Sequence, residues 1–369
     1  MLCYLCHYRD KPLYINSIQS LNFRNYKELN LEFAFLKPIN LIIAPNGSGK
    51  SNLLEIIYYL TYLRPFRNVL DSELINRDSH FFFIKGEFLK NDITTSISVK
   101  YSKTKEINLN NKKIKKHSEI IGILLSVLFS NDDIFIICGS PMIRRKFFDM
   151  FISIMDKEYL LNLKKYQILL KHKNFILKTK NNLNLLDIYD EQLSKIIYNI
   201  NLKRQKIIAD INPIFQEKFC SIGMFKDRAK IIFLSNLKVK EEYSYIEIFN
   251  KLVEIRNKDI ETGYSNFGIH KDNYLFLLNG IEFSKYASLG QMRLASLVLK
   301  LTKLEYLKSV TNTEPIILLD DVILELDLQR QKKFIYSIPK ENQMFITLTD
   351  KNKLIFTHDL NLINEINII

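Results

Sequence analysis

The chain has 369 residues, long for one hydrophobic core and enough for two or three packed units. With 25% charged and 47% apolar residues, no apolar run near the roughly 18 residues of a spanning helix and no basic-then-apolar leader, a membrane or exported protein is disfavoured, and a cytoplasmic one is expected. A net charge of +13 points to a polyanionic partner, though the excess is mostly Lys, 41 against 12 Arg, and so includes many solvated faces.

Residues 1–12 share no pattern with the rest of the chain and are expected to be a disordered extension. Cys3-Tyr4-Leu5-Cys6-His7 has haem-attachment spacing, but no export signal precedes it and no second half closes a zinc site, so neither group is expected. Cys138 and Cys220 sit among apolar residues and read as small core side chains. The folded part opens near Tyr14. Alternating apolar and polar residues over 15–23 and 29–35 predict two half-buried strands, joined by a turn of Arg24-Asn25-Tyr26-Lys27.

The next apolar run, Ile39, Leu41, Ile42 and Ile43, breaks into Ala44-Pro45-Asn46-Gly47-Ser48-Gly49-Lys50-Ser51. A helical pattern follows, with Leu53, Leu54, Ile56, Ile57 and Leu60 on one face, and Pro65 ends it. This is a phosphate-binding loop: glycines let backbone N–H groups fold around a polyphosphate, Lys50 reaches the outer phosphates, and the Ser51 hydroxyl can ligate Mg2+. The helix points its positive end at the same anion. Ala44 stands where the motif has Gly, which is tolerable while φ stays negative.

Strand patterns recur at 82–84, 93–99 and 107–109, with Asn110-Asn111 as a hairpin turn and Lys112, Lys113, Lys115 and Lys116 as a basic cluster, more often a solvated tip than a DNA contact. From about Pro141 to Cys220 the spacing becomes helical, as in Tyr159, Leu163, Tyr166, Leu170 and later Leu193, Ile196, Ile197, Ile200, without a sustained heptad seam. The sheet pattern resumes after Ile231, with a hairpin over 274–283 turning at Asn279-Gly280. Ser288-Leu289-Gly290-Gln291 is a capping box opening a helix with Leu294, Leu297, Val298, Leu301 and Leu304 on one face. Pro315-Ile316-Ile317-Leu318-Leu319 predicts a strand buried on both faces that delivers Asp320-Asp321 beside the phosphate loop. Strand alternation would turn the two carboxylates apart, one to a metal and one to attacking water. The expected organisation is an extension at 1–12, an ATPase lobe at 13–135, an inserted helical lobe at 136–228 and the rest of the ATPase lobe at 229–369.

Together these stretches resemble the RecF family of bacterial DNA-repair ATPases, whose heads are similar to those of ABC-type ATPases and SMC proteins. The resemblance rests on Asn22-Phe23-Arg24-Asn25-Tyr26, the phosphate loop, the stretch from Gly139-Ser140-Pro141 through Arg144-Arg145 to Asp149, Gly268-Ile269-His270-Lys271-Asp272, Ser288-Leu289-Gly290-Gln291, and the stretch from Leu319-Asp320-Asp321 to Asp327. It implies an α/β ABC-type head, a P-loop sheet with an antiparallel β subdomain, plus an inserted helical lobe. It also implies that ATP is held by Arg24, Asn46, Gly47, Ser48, Gly49, Lys50, Ser51 and Asn52, with Mg2+ on Ser51 and Asp320. Asp321 would activate water. Ser288, Gly290 and Gln291 would reach ATP held by a second protomer, with Glu325 and Asp327 along the dimer seam. The pattern departs at Ala44, Asn131, Ile269, Lys271 and Leu324, which bears on turnover more than on fold.

The function so implied is an ATP-controlled clamp on gapped or junction DNA, single- and double-stranded, acting in replication, repair, recombination and the SOS response. It would work as an ATP-dependent homodimer with RecO- and RecR-type partners. A transporter ATPase subunit is the rival from another class, but its signature follows the phosphate loop far more closely than Ser288 follows Lys50. A degenerate, non-hydrolysing homologue is the third reading. For Arg144-Arg145, an ion pair with Asp149 at helical spacing competes with a DNA contact.

Overall fold

The computed structural model describes residues 13–33, 37–224, 226–236, 244–350 and 363–367. The expected extension at 1–12, with Cys3 and Cys6, lies outside them. Two compact units form, Met1–Asn131 with Leu299–Ile369, and Asp132–Val298.

The first unit opens with β1 (Tyr14–Phe23) and β2 (Tyr26–Glu32). Their turn is only Arg24 and Asn25, because Tyr26, nearly buried, already pairs with Phe23. The expected four-residue turn is therefore too long: the Tyr26 ring gains more from the sheet core than from a solvated loop. β3 (Ile39–Ile43) leads through the phosphate loop into α1 (Lys50–Tyr62). β4 (Phe82–Lys90), β5 (Ile93–Tyr101), β6 (Lys105–Leu109) and β7 (Lys112–Lys113) complete a six-stranded antiparallel sheet ordered β2-β1-β4-β5-β6-β7. Asn110 and Asn111, at φ 48° and 62°, make the predicted turn between β6 and β7. β8 (Ser126–Phe129) closes this part.

The second unit contains α2 (Ile134–Cys138), α3 (Pro141–Met155), α4 (Lys157–Thr179) and α5 (Leu186–Gly223). It continues with β9 (Ala229–Leu234), α6 (Tyr245–Glu254), α7 (Arg256–Thr262), β10 (Asn273–Leu278), β11 (Ile281–Glu282) and α8 (Phe283–Tyr286). β11, β10 and β9, in that order, form a three-stranded antiparallel sheet. Compactness therefore groups 229–298 with the helices, whereas the sequence pattern joined that stretch to the phosphate-loop part of the chain.

After α9 (Leu289–Thr311), the first unit resumes with β12 (Ile316–Asp320), α10 (Leu328–Tyr336), β13 (Met344–Leu348) and β14 (Ile363–Asn367). With β3 and β8 these strands make a five-stranded sheet, β14-β3-β13-β12-β8, parallel throughout. Ile316 to Leu319 are fully buried, as a strand covered on both faces requires. A register shift between Ile15 and Ser17 marks an irregularity in β1, and the buried Gln343 amide meets both the N–H and the C=O of Ile15 there. Among the described residues no helix is long and apolar enough to cross a membrane.

Candidate nucleotide site

In the five-stranded sheet β13 lies between β3 and β12, so the phosphate loop, Thr347 and Asp320 meet at the carboxyl ends of three adjacent parallel strands. That edge is where open α/β sheets bind ligands. Ala44 keeps a negative φ, so the missing glycine leaves the loop unstrained. Gly47 and Gly49 take φ 82° and 103°. A Cβ at Gly49 would also fall 2.4 Å from the Asn25 amide, so a side chain here would be strained at this φ and would displace Asn25 from the loop.

The turn after β1 holds the loop from outside. Asn25 donates to Ser48 O at 2.8 Å and accepts from Asn52 at 2.7 Å, while the Tyr26 hydroxyl donates to Gly49 O at 2.9 Å. Neither residue was assigned a role from sequence, although both lie within the Asn22-to-Tyr26 stretch. Arg24, expected at the nucleotide, donates through Nε to the buried Glu55 carboxylate at 2.9 Å and through Nη1 to Glu73 O at 3.2 Å. Asn52 also accepts from Arg67 at 3.3 Å. Lys50 is buried, its ammonium donating to Ala44 O at 2.7 Å and Pro45 O at 3.1 Å. These carbonyls keep the cation desolvated and aimed along the loop.

The Ser51 hydroxyl donates to Asp320 Oδ1 at 2.7 Å, and Thr347 Oγ1 lies 3.0 Å from the same oxygen. Strand alternation does not separate Asp320 from Asp321. The strand ends at Asp320, and Asp321 turns into the left-handed region at φ 54°, so its carboxylate comes within 3.4 Å of the same Thr347 hydroxyl. The Asp321 N–H donates to Thr347 Oγ1 at 3.0 Å. Burial, and then the Asp320 charge, push the Asp321 carboxyl above the ordinary carboxylate range, against Lys50 and the Thr347 hydrogen bond. A carboxylate so perturbed beside a phosphate loop is suited to accept a proton. Among the described residues no three His, Cys, Asp or Glu side chains cluster as a metal cage. The Ser51–Asp320 pair instead offers one hydroxyl and one carboxylate oxygen, a donor set that fits Mg2+ completed by phosphate and water.

At the start of α9, the Ser288 N–H donates to Gln291 Oε1 at 2.9 Å and the Gln291 N–H to Ser288 Oγ at 3.2 Å, the reciprocal box read from sequence. Ser288 and Gly290 are exposed. Glu325 ends the short turn Val322–Glu325, and Asp327 caps α10 by accepting from the Arg330 N–H at 3.0 Å.

The stretches Arg144-Arg145 and Gly268–Asp272 build the second unit's interior. Arg144 donates to Asn273 Oδ1 at 3.0 Å and to Gly139 O at 2.8 Å, and Arg145 donates to Asp272 O at 2.7 Å. Of the two readings open for these arginines, the ion pair with Asp149 does not form, since Asp149 bonds Arg204 at 2.7 Å and the Tyr159 hydroxyl at 2.5 Å. Arg204, fully buried, also bonds Asp272 at 2.6 Å and Ile269 O at 3.0 Å. Gly268, at φ 132°, lets the Tyr166 hydroxyl approach where a Cβ would stand 2.4 Å away. That hydroxyl meets His270 Nδ1 at 2.6 Å, and His270 Nε2 lies 3.0 Å from Ser265 O. Because a carbonyl only accepts, Nε2 carries the proton and Nδ1 accepts from Tyr166.

The family model described as RecF/RecN/SMC N terminal domain matches residues 14–364. The DNA replication and repair protein RecF of Clostridium tetani is 38% identical over 344 residues, covering 91% of this chain and 93% of that protein. The protein of the same name from Leptospira interrogans is 34% identical over 345 residues, 92% of each. Among solved structures, that of the recombination mediator protein RecF-ATP in the RecFOR pathway has a TM-score of 0.88 at 34% identity over 94% of both chains. The Smc head of Pyrococcus furiosus has a TM-score of 0.51 at 17% identity over 93% of this chain and 91% of that one, a likeness of fold.

Proposed function

Because the chain belongs to the RecF family, we propose that it is an ATP-controlled DNA-binding protein of replication, repair and recombination, acting in the cytoplasm at gaps and single-strand/double-strand junctions. The observation that carries this is the meeting of Lys50, Ser51, Asp320, Asp321 and Thr347, drawn from three distant chain segments to one sheet edge. A transporter-subunit reading falls with the family assignment.

In this reading the loop N–H groups from Asn46 to Ser51 and the α1 N-terminus cradle the phosphates, and Lys50 exchanges its two carbonyl partners for phosphate oxygens. Ser51 and Asp320 hold Mg2+, which neutralises phosphate charge when bound. Asp321 takes the proton of the attacking water, and Thr347 sets the spacing of the two carboxylates. Ser288, Gly290 and Gln291 offer an exposed, capped helix terminus to the γ-phosphate bound by a second protomer, with Glu325 and Asp327 near the seam. ATP then joins two copies into a clamp around DNA. Turnover, slow and DNA-stimulated, opens it, and RecO- and RecR-type proteins use the loaded state.

Sedimentation velocity with and without ATP, Mg2+ and a gapped duplex tests this. Monomers are expected without nucleotide, dimers with ATP and Mg2+, and co-sedimenting DNA only with the dimer. A chain whose sedimentation ignores ATP would overturn the clamp.

A further inference from the structure

Outside the nucleotide site, α4 carries a feature unusual for a solvated helix. Leu161, Ile168 and Phe175, spaced seven residues apart and therefore on one stripe, are 54%, 57% and 68% exposed. On α5, Ile188 is 54% exposed beside them. Leu161, Ile168 and Ile188, with Leu169, Leu185 and Tyr189 as floor, line a groove of about 590 Å³ between the two helices. The floor continues into the buried cluster of Ile176, Leu177 and Leu186, so the groove rests on packed core.

The charges around it are of one sign. Lys164, Lys165 and His172 line the groove, which has no acidic lining residue. Among the described residues Lys164, Lys165, Lys171 and Lys178 make no ion pair. The nearby acids are engaged elsewhere: Glu158 with Lys203, Glu191 with Lys195, Asp187 with Arg256, and Asp190 with Lys173 and Arg256. DNA would match the lysines but leave the apolar stripe uncovered. A lipid surface would match a flat face, whereas this apolar surface is concave.

We infer that the α4–α5 groove of the second unit docks an amphipathic helix of another protein, one with apolar residues at heptad spacing and acidic flanks. A helix laid along Leu161 to Phe175 covers about 21 Å, four turns at about 5.4 Å each, and places carboxylates against the lysine rim. The surface is distinct from the nucleotide site, so its role does not depend on the ATP reading.

The test uses the full chain and a fluorescent helical peptide of about 18 residues, sized to that stripe, with Leu at heptad positions and Glu on the flanks. Its twin carries Lys on the flanks. Fluorescence anisotropy should show the acidic peptide binding at least about tenfold more tightly, since the rim lysines attract one twin and repel the other. Ile168→Glu with Phe175→Glu should abolish binding, and Lys164→Glu with Lys165→Glu should reverse the preference between the peptides. All four positions are exposed, so the variants should keep the wild-type thermal midpoint. Absence of binding, equal binding of the twins, or displacement of the acidic peptide by a duplex oligonucleotide would overturn the inference. So would a change in nucleotide-free sedimentation on Ile168→Glu, which would assign the groove to a second copy of the chain.

Discussion

Thr347 offers one hydroxyl to the carboxylates of both Asp320 and Asp321 and accepts the Asp321 N–H. Thr347→Val keeps the shape, strands that N–H at a cost of about 1–3 kcal/mol, and frees two like charges to move apart. ATP turnover is expected to fall about tenfold or more, as for a lost positioning contact, while nucleotide affinity measured by calorimetry stays within a few-fold. Asp321→Asn removes the proposed proton acceptor. Turnover should drop at least about a hundredfold with ATP binding nearly intact, and an ATP-bound dimer should accumulate on DNA. Wild-type hydrolysis by that variant would refute the catalytic assignment. Asp320→Asn should instead weaken Mg2+ dependence and dimer formation together.

His270 is held neutral between Tyr166 and Ser265, and burial, reinforced by the Lys271 and Arg145 charges, lowers its pKa below the ordinary 6.5. A depressed pKa stabilises the fold above the unfolded value, and that contribution is lost as pH falls through the folded one. Asp272, pushed up to about 6 by burial against Arg204, acts oppositely: its contribution is present below the unfolded value and lost as pH rises through about 6. Urea midpoints of wild type and His270→Gln between about pH 7.5 and 5 isolate the histidine, and the gap between them should narrow on acidification. A constant gap would show that the fold does not lower the His270 pKa. Elements with strong local signals were legible: the Asn110-Asn111 and Asn279-Gly280 turns, the Ser288 box, the buried run of β12. α6 and α7 escaped the reading because they interrupt a stretch of strands, although Ser244 and Glu247 form a capping box that could have marked α6. Thr347 was invisible because a β-branched residue in an apolar strand resembles filler. Arg204 was missed because nothing local distinguishes a buried helical arginine from a solvated one. The Asp320–Asp321 geometry depends on a left-handed residue that periodicity does not encode.

The proposed second-copy site predicts that two variants differ in assembly. Ser288→Arg puts a bulky cation at the exposed helix terminus and should leave ATP binding to one chain intact while abolishing ATP-driven dimers. Lys50→Ala should lose nucleotide binding itself, and equal loss in both would remove the two-chain site. DNA affinity should be phosphate-directed, since the excess of +13 is mostly lysine and Trp is absent. For about five neutralised phosphates the slope of log K against log salt on duplex DNA should be about −4 to −5, and a nearly flat plot would exclude it. The order of strands also sets a clock. β3, which carries the phosphate loop, is flanked by β13 and β14, so its neighbours on both sides come from the far end of the polypeptide. About 300 residues separate β3 from β13, roughly 15–60 s of synthesis at about 5–20 residues per second. Throughout that interval the strand that carries the phosphate loop leaves the ribosome with both edges open, and the sheet edge that joins the loop to Thr347 and Asp320 forms only on a nearly finished polypeptide.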